Sequence, residues 1–184
     1  MTRAARGGNL PEPPDPPSAP GLAPPGGQRD RDPAGRPRNA RPRDGLGRPL
    51  PRGAAGAERV PDNLSLPPAE SLALAQEMLD EGRPFHAHEV LEASWKAAPP
   101  GERELWRGLA QVAVGLTHAQ RGNGRGAVAL LRRAALRVGG YSAAAPHDID
   151  AGGVAEAADR LADRIEAVGP AALTRPELHI TLTR

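Results

Sequence analysis

The chain has 184 residues, 24 basic and 22 acidic groups, and no cysteine, which excludes disulfides, thiolate metal sites and a cysteine nucleophile. Its charge is unevenly placed. Residues 1–60 hold 13 prolines, 10 glycines and 11 arginines against 6 acidic residues, whereas residues 61–184 hold 13 basic and 16 acidic groups, so the high isoelectric point belongs to the N-terminal part.

A segment so rich in proline, glycine and arginine has few large apolar side chains to offset the entropy of ordering its backbone, which predicts a disordered extension over 1–63. The signs of its charges are mixed and no aromatic residue accompanies them, so nucleic acid is not the expected partner. The opening "MTRAARGGNLPEPPDPP" lacks the apolar core of a signal peptide, and no window approaches roughly 18 apolar residues. The expected location is cytoplasmic, with no membrane partner.

The sequence places a helical domain over 64–170 and a C-terminal tail over 171–184. In "LSLPPAESLALAQEMLDEG", Ser65 and the prolines mark a helix start, Leu72, Ala75, Met78 and Leu79 recur at helical spacing, and Gly82 stops the run. A second helix is predicted from Pro84 to Ala97, ended by Pro99-Pro100-Gly101. The third spans Glu102 to Gln120, with Leu105, Leu109, Val112, Ala113 and Leu116 on one stripe and Arg121-Gly122-Asn123-Gly124 as its terminator. A fourth runs from Gly126 to Val138, and a fifth from Ala151 to Val168 with Val154, Ala158, Leu161 and Ile165 inward. The ending "LTRPELHITLTR" carries a faint period-two apolar pattern and reads as extended. The fold class is therefore all-α, a compact bundle of about five amphipathic helices, mostly antiparallel neighbours. Abundant alanine thins such a core, which makes a homodimer a reasonable expectation.

Chemistry concentrates on the second and third helices. His88 and Glu92 are one helical turn apart, close to the stripe of Leu91 and Trp95. On the third helix Glu104, Gln111 and His118 recur every seven residues, and Gly108 and Gly115 beside that line leave room for another backbone. Antiparallel packing would bring His88 toward His118. With Glu92, and Gln111 nearby, that set suits a divalent ion, whether zinc, iron or manganese, with Glu89 as the base that activates a bound water. The same residues suit a second reading, a structural polar network that fixes helix register without chemistry, in a scaffold or interaction protein. "HEVLE" is not the zincin motif, because a glutamate stands where the second histidine ligand belongs.

Phe85 and Trp95 read as core or pocket walls, His86 and Glu89 as more exposed, and Trp106 as a partly exposed anchor at a subunit contact. "HAQRGNGRGA", His118 to Ala127, lacks both nucleotide-binding glycine fingerprints and reads as a tight inter-helix turn in which Asn123 caps the next helix.

"FHAHEVLEASW" from Phe85 to Trp95, "GLAQ" from Gly108 to Gln111 and "HAQRGNGRGA" together resemble a family of small helical prokaryotic proteins, domain of unknown function 309. The resemblance covers about residues 69–138. It implies an all-helical fold whose characteristic positions here are His88, Glu89, Glu92, Trp95, Gln111, His118, Gly122, Asn123, Gly126 and Ala127, and it supplies no substrate or reaction.

Overall fold

The computed structural model describes residues 41–57, 60–61 and 64–184. Most of the extension expected to be disordered, 1–40 with 58–59 and 62–63, lies outside the described residues. Five helices follow in order: α1 Pro68–Asp80, α2 Pro84–Ala97, α3 Arg103–Gln120, α4 Gly124–Gly139 and α5 Ala151–Val168. Two single 3-10 turns, Pro170–Ala172 and Pro176–Leu178, lead into the extended C-terminus. The architecture is the expected all-α bundle, with each helix packed on its sequence neighbours.

Local chemistry sets the helix ends. Pro68 and Pro84 open α1 and α2, where a missing backbone donor costs nothing. Gly82 and Gly122, at φ of 75° and 79°, close α1 and α3 in the left-handed conformation that glycine adopts without a Cβ penalty. Each closure carries the same pair of bonds. Gly82 N donates to Leu79 O and Arg83 N to Met78 O, and likewise Gly122 N to Ala119 O and Asn123 N to His118 O. Asn123 and Asp150 then cap α4 and α5 by accepting from Gly126 N and Gly153 N.

The core follows from the apolar stripes. Leu105, Leu109, Val112 and Leu116 of α3 form one buried cluster with Leu91 of α2, Leu131 and Val138 of α4, and Val154, Leu161 and Ile165 of α5. Alanine fills much of the remaining interior, so helices come close. A Cβ on Gly108 would lie 2.6 Å from Val138 Cγ2, and one on Gly115 would lie 2.8 Å from Leu131 Cγ. The early part of α3 thus meets the late part of α4 and the reverse, which makes the pair antiparallel. Trp106 is only 1% exposed, with Nε1 donating to Glu102 Oε2 at 3.2 Å. It is a core residue of its own chain rather than an exposed anchor, because the loop after α4 folds over it and sets the His147 ring 6.0 Å away.

The C-terminal alternation has a structural outlet. Ile180 and Leu182 are buried, Leu182 N donates to Gln76 Oε1 of α1, and Asp150 N donates to Leu182 O at the start of α5. Ile149 and Thr183 pair as one isolated antiparallel bridge. This segment ties the first helix to the last, across a contact that the short turns alone do not make. Leu182→Ala should therefore destabilise the full chain by about 2–4 kcal/mol, within the range for large-to-small core changes. Urea unfolding followed by circular dichroism measures it; a change no larger than that of Thr181→Ala at the neighbouring exposed position would contradict this role.

Candidate functional site on the α2–α3 face

Phe85, His88, Glu92 and Trp95 follow one another along the half-buried side of α2. Arginines of the α3 region stand over both ends of this row: Arg121 Cζ is 6.0 Å from the Phe85 centroid and Arg107 Cζ is 5.7 Å from that of Trp95. The crossing of the two ends shows that α2 and α3 run antiparallel. Trp95 is half-buried, and its buried Nε1 has no hydrogen-bond partner.

Between the aromatic ends, His88 Nε2 lies 3.6 Å from Glu92 Oε2, with side-chain exposures of 25% and 34%. Glu92 also holds Lys96 Nζ at 2.9 Å, so its charge is already balanced on its own helix. Burial, the largest effect, lowers the His88 pKa from its ordinary value; Glu92 opposes this and Lys96 adds to it.

His118 is committed elsewhere. Asn123 Oδ1 accepts from Gly126 N at 2.9 Å, which turns the Asn123 amide nitrogen toward His118 Nδ1 at 2.7 Å. An amide nitrogen can only donate, so Nδ1 accepts and the imidazole is neutral with its proton on Nε2. The lowered pKa of His118, caused first by burial and then by Arg121, agrees. Gly126 makes the arrangement possible, because a Cβ there would overlap both the imidazole nitrogen and the Asn123 amide.

The structure therefore joins His88 to Glu92 and His118 to Asn123, and no hydrogen bond links the two histidines. Among the described residues no group of three His, Cys, Asp or Glu side chains is placed to hold a metal ion. Glu89, the expected base, is half-buried and engaged in contacts of its own. Gln111 accepts from Arg137 Nη1 at 3.1 Å, while Arg137 Nε bonds Glu104 at 2.7 Å; this polar line serves the α3–α4 seam. His86 is 2% exposed, contrary to its expected position, because the half-turn after Pro84 rotates it toward Leu64, Leu74 and Met78.

The sequence reading missed the most distinctive feature of this face. Residues 41–57 fold back on themselves and lie on Phe85. Asp44 shapes the turn: its carboxylate accepts from Leu46 N at 3.0 Å and Arg48 N at 2.7 Å, and Gly47 N donates to Asp44 O at 2.8 Å. Gly47, at φ 74°, rests on the Phe85 ring so closely that a Cβ would overlap it. Arg43 Cζ is 5.7 Å from the same ring and its Nη1 donates to Gly47 O at 2.6 Å. Arg121 donates from Nε to Leu46 O at 2.8 Å, with Nη2 directed to the same carbonyl. Burial lowers the Arg121 pKa from its ordinary value, with Asp44 opposing and Arg43 and Arg48 reinforcing. The Asp-Gly pair at 44–45 was the available turn signal.

Residues 72–130 match the model of the family described as Domain of unknown function (DUF309). The match is confined to that stretch of the chain. It runs from α1 into α4, contains every side chain of the His88–Glu92 and His118–Asn123 pairs, and leaves out α5 and the 41–57 turn. The chain is also similar to "Uncharacterized protein YpuF" of Bacillus subtilis (strain 168), 46% identical over 48 residues. The alignment covers 26% of this chain and 28% of that relative. No solved structure matches. No described helix is long and apolar enough to cross a membrane.

Two outcomes follow for the DUF309 segment. Glycine to alanine inside a helix ordinarily gains about 0.5–1 kcal/mol, but Gly126→Ala should instead lose about 1 kcal/mol or more by breaking the Asn123–His118 bond. Gly139→Ala, with only ordinary contact to Ala155, should be tolerated; equal urea midpoints for the two variants would disprove the crowding at Gly126. The histidines also predict a pH dependence. Their pKa values are lower folded than the ordinary 6.5, so the unfolded chain binds more protons near that pH, and stability present above it is lost as pH falls toward the folded values. The urea midpoint should drop between about pH 7.5 and about pH 5.5, and His118→Gln should flatten the drop. An unchanged slope in that variant would remove His118 as a contributor.

Proposed function

We propose that the DUF309 segment is a non-enzymatic interaction module whose His, Glu and Asn side chains hold helices and turns in register, and whose Phe85–Arg121 face binds polypeptide. The observation that carries this reading is the grip of Arg121 on the main-chain carbonyl of Leu46 beside the Phe85 ring and Gly47. A guanidinium on a carbonyl next to an aromatic ring reads a peptide backbone. Support for the register role comes from the commitment of His118 to Asn123 and of Glu92 to both His88 and Lys96.

The divalent-ion reading retains one supporting observation, the His88–Glu92 pair one turn apart on α2. An ion there would need further donors and would have to draw Glu92 away from Lys96. Metal content by mass spectrometry, on untagged full chain purified without chelator, separates the readings. The expected result is no stoichiometric zinc, iron or manganese in the wild type or in the His88→Ala, His118→Ala double variant, with the variant destabilised by about 1–3 kcal/mol. Near-stoichiometric metal in the wild type that disappears in the double variant would overturn the register role.

A further inference from the structure

The 42–50 turn and the face beneath it belong to different parts of the chain. Phe85 and Arg121 lie inside the family segment 72–130, and their occupant lies outside it. The turn is largely self-supporting: Asp44 supplies its internal bonds, Leu50 N donates to Pro42 O at 2.8 Å, and Ala57 N donates to Arg43 O at 2.7 Å. It meets Phe85 and Arg121 through a carbonyl, a glycine and one arginine. Its other arginine, Arg48, and the flanking Arg41 and Arg52 stay exposed. A pre-shaped turn presented mainly through its backbone has the character of a ligand rather than of a core element.

We infer that the Phe85–Arg121 face is a peptide-docking site for a tight Arg-Asp-Gly-x-Gly turn, and that residues 42–50 occupy it in cis as a tethered ligand. This rests on the interaction-module reading and adds the chemistry of the partner. Arg121 takes the carbonyl preceding the second glycine, Phe85 admits only a residue without Cβ at that glycine, and the arginine ahead of the aspartate covers the ring. The tether explains how so few contacts suffice. A ligand joined by a short linker acts at an effective concentration of about millimolar, so modest intrinsic affinity fills the site, and a partner carrying the same turn must displace it.

The test uses the full chain and Gly47→Val, a change outside all five helices that places atoms where the Phe85 ring stands. Equal helical circular dichroism in both proteins controls for folding. Limited trypsin digestion should cut after Arg43 and Arg52 at least about tenfold faster in the variant, as expected when local docking is lost. A fluorescein-labelled peptide of residues 41–57 should then bind Gly47→Val by fluorescence anisotropy and bind the wild type at least about tenfold more weakly. Adding Arg121→Lys, which keeps the charge but not the two-donor fork, should abolish peptide binding in the Gly47→Val background.

Equal cleavage of wild type and variant would overturn occupancy in cis. Released strap with no peptide binding would overturn the docking site. Protection that fades on dilution, with a concentration-dependent dimer by light scattering, would assign the occupant to a second copy and overturn the tethered form. These outcomes are independent of metal content: stoichiometric metal with intact peptide binding would reject the register role of the histidines and leave the docking site standing.

Discussion

Asn123 meets three structural demands with one residue. Its backbone N–H closes α3 on His118 O, its side-chain oxygen caps α4, and its side-chain nitrogen holds His118. The order of these commitments matters: the cap fixes which way the amide points, and that fixes the protonation state of the imidazole. The turn needs Gly122 in the left-handed region and Gly126 without a Cβ, so the pattern from His118 to Gly126 is one interlocked unit. Arg121 is held at the start of this unit, which is how a helix-capping device comes to place a guanidinium over Phe85.

The same turn sets the depth of the α3–α4 seam. Once the two helices are forced antiparallel and close, Gly108 and Gly115 are required opposite Val138 and Leu131, and a small-residue core becomes workable. A chain with four aromatic residues has little bulk to fill wider gaps. It buries one of its two tryptophans, Trp106, in the core, with the indole proton satisfied by Glu102. Burial pushes the Glu102 carboxyl up, but the bonds from His147 and Trp106 outweigh it and hold the group below its ordinary value. The loop that brings His147 there includes two non-glycine residues at positive φ, His147 and Asp148, a cost of about 1–3 kcal/mol each. Burial of Ile149 and the bonds of Asp148 and Asp150 to the extended C-terminal segment offset it.

The helices were legible because their signals are local: a stripe at helical spacing, a proline at the first position, a glycine past the last. Asn123 as a cap belongs to the same class. Trp106 and His86 were not, because their burial depends on segments far along the chain, the 141–149 loop over one and the residues around Leu64 over the other. Spacing put His88 and His118 on facing helices correctly but could not say what each would bond first. For both, the nearer partner won: Glu92 four positions along the helix and Asn123 five positions on, where little chain entropy separates the groups.

The 41–57 turn shows the limit of reading order from hydropathy. A segment poor in apolar side chains cannot form a core, and that inference is sound for a core. Docking on a finished surface is a different problem. It needs only enough local structure to present a carbonyl and a glycine face, and Asp44 provides that structure through two backbone N–H bonds. The rest of the segment can remain polar and exposed, since its solvation is unchanged by docking. Low hydropathy thus argues against independent folding while leaving room for a short turn to serve as a ligand, and the residues that decide between the two are an aspartate, a glycine and the guanidinium they meet.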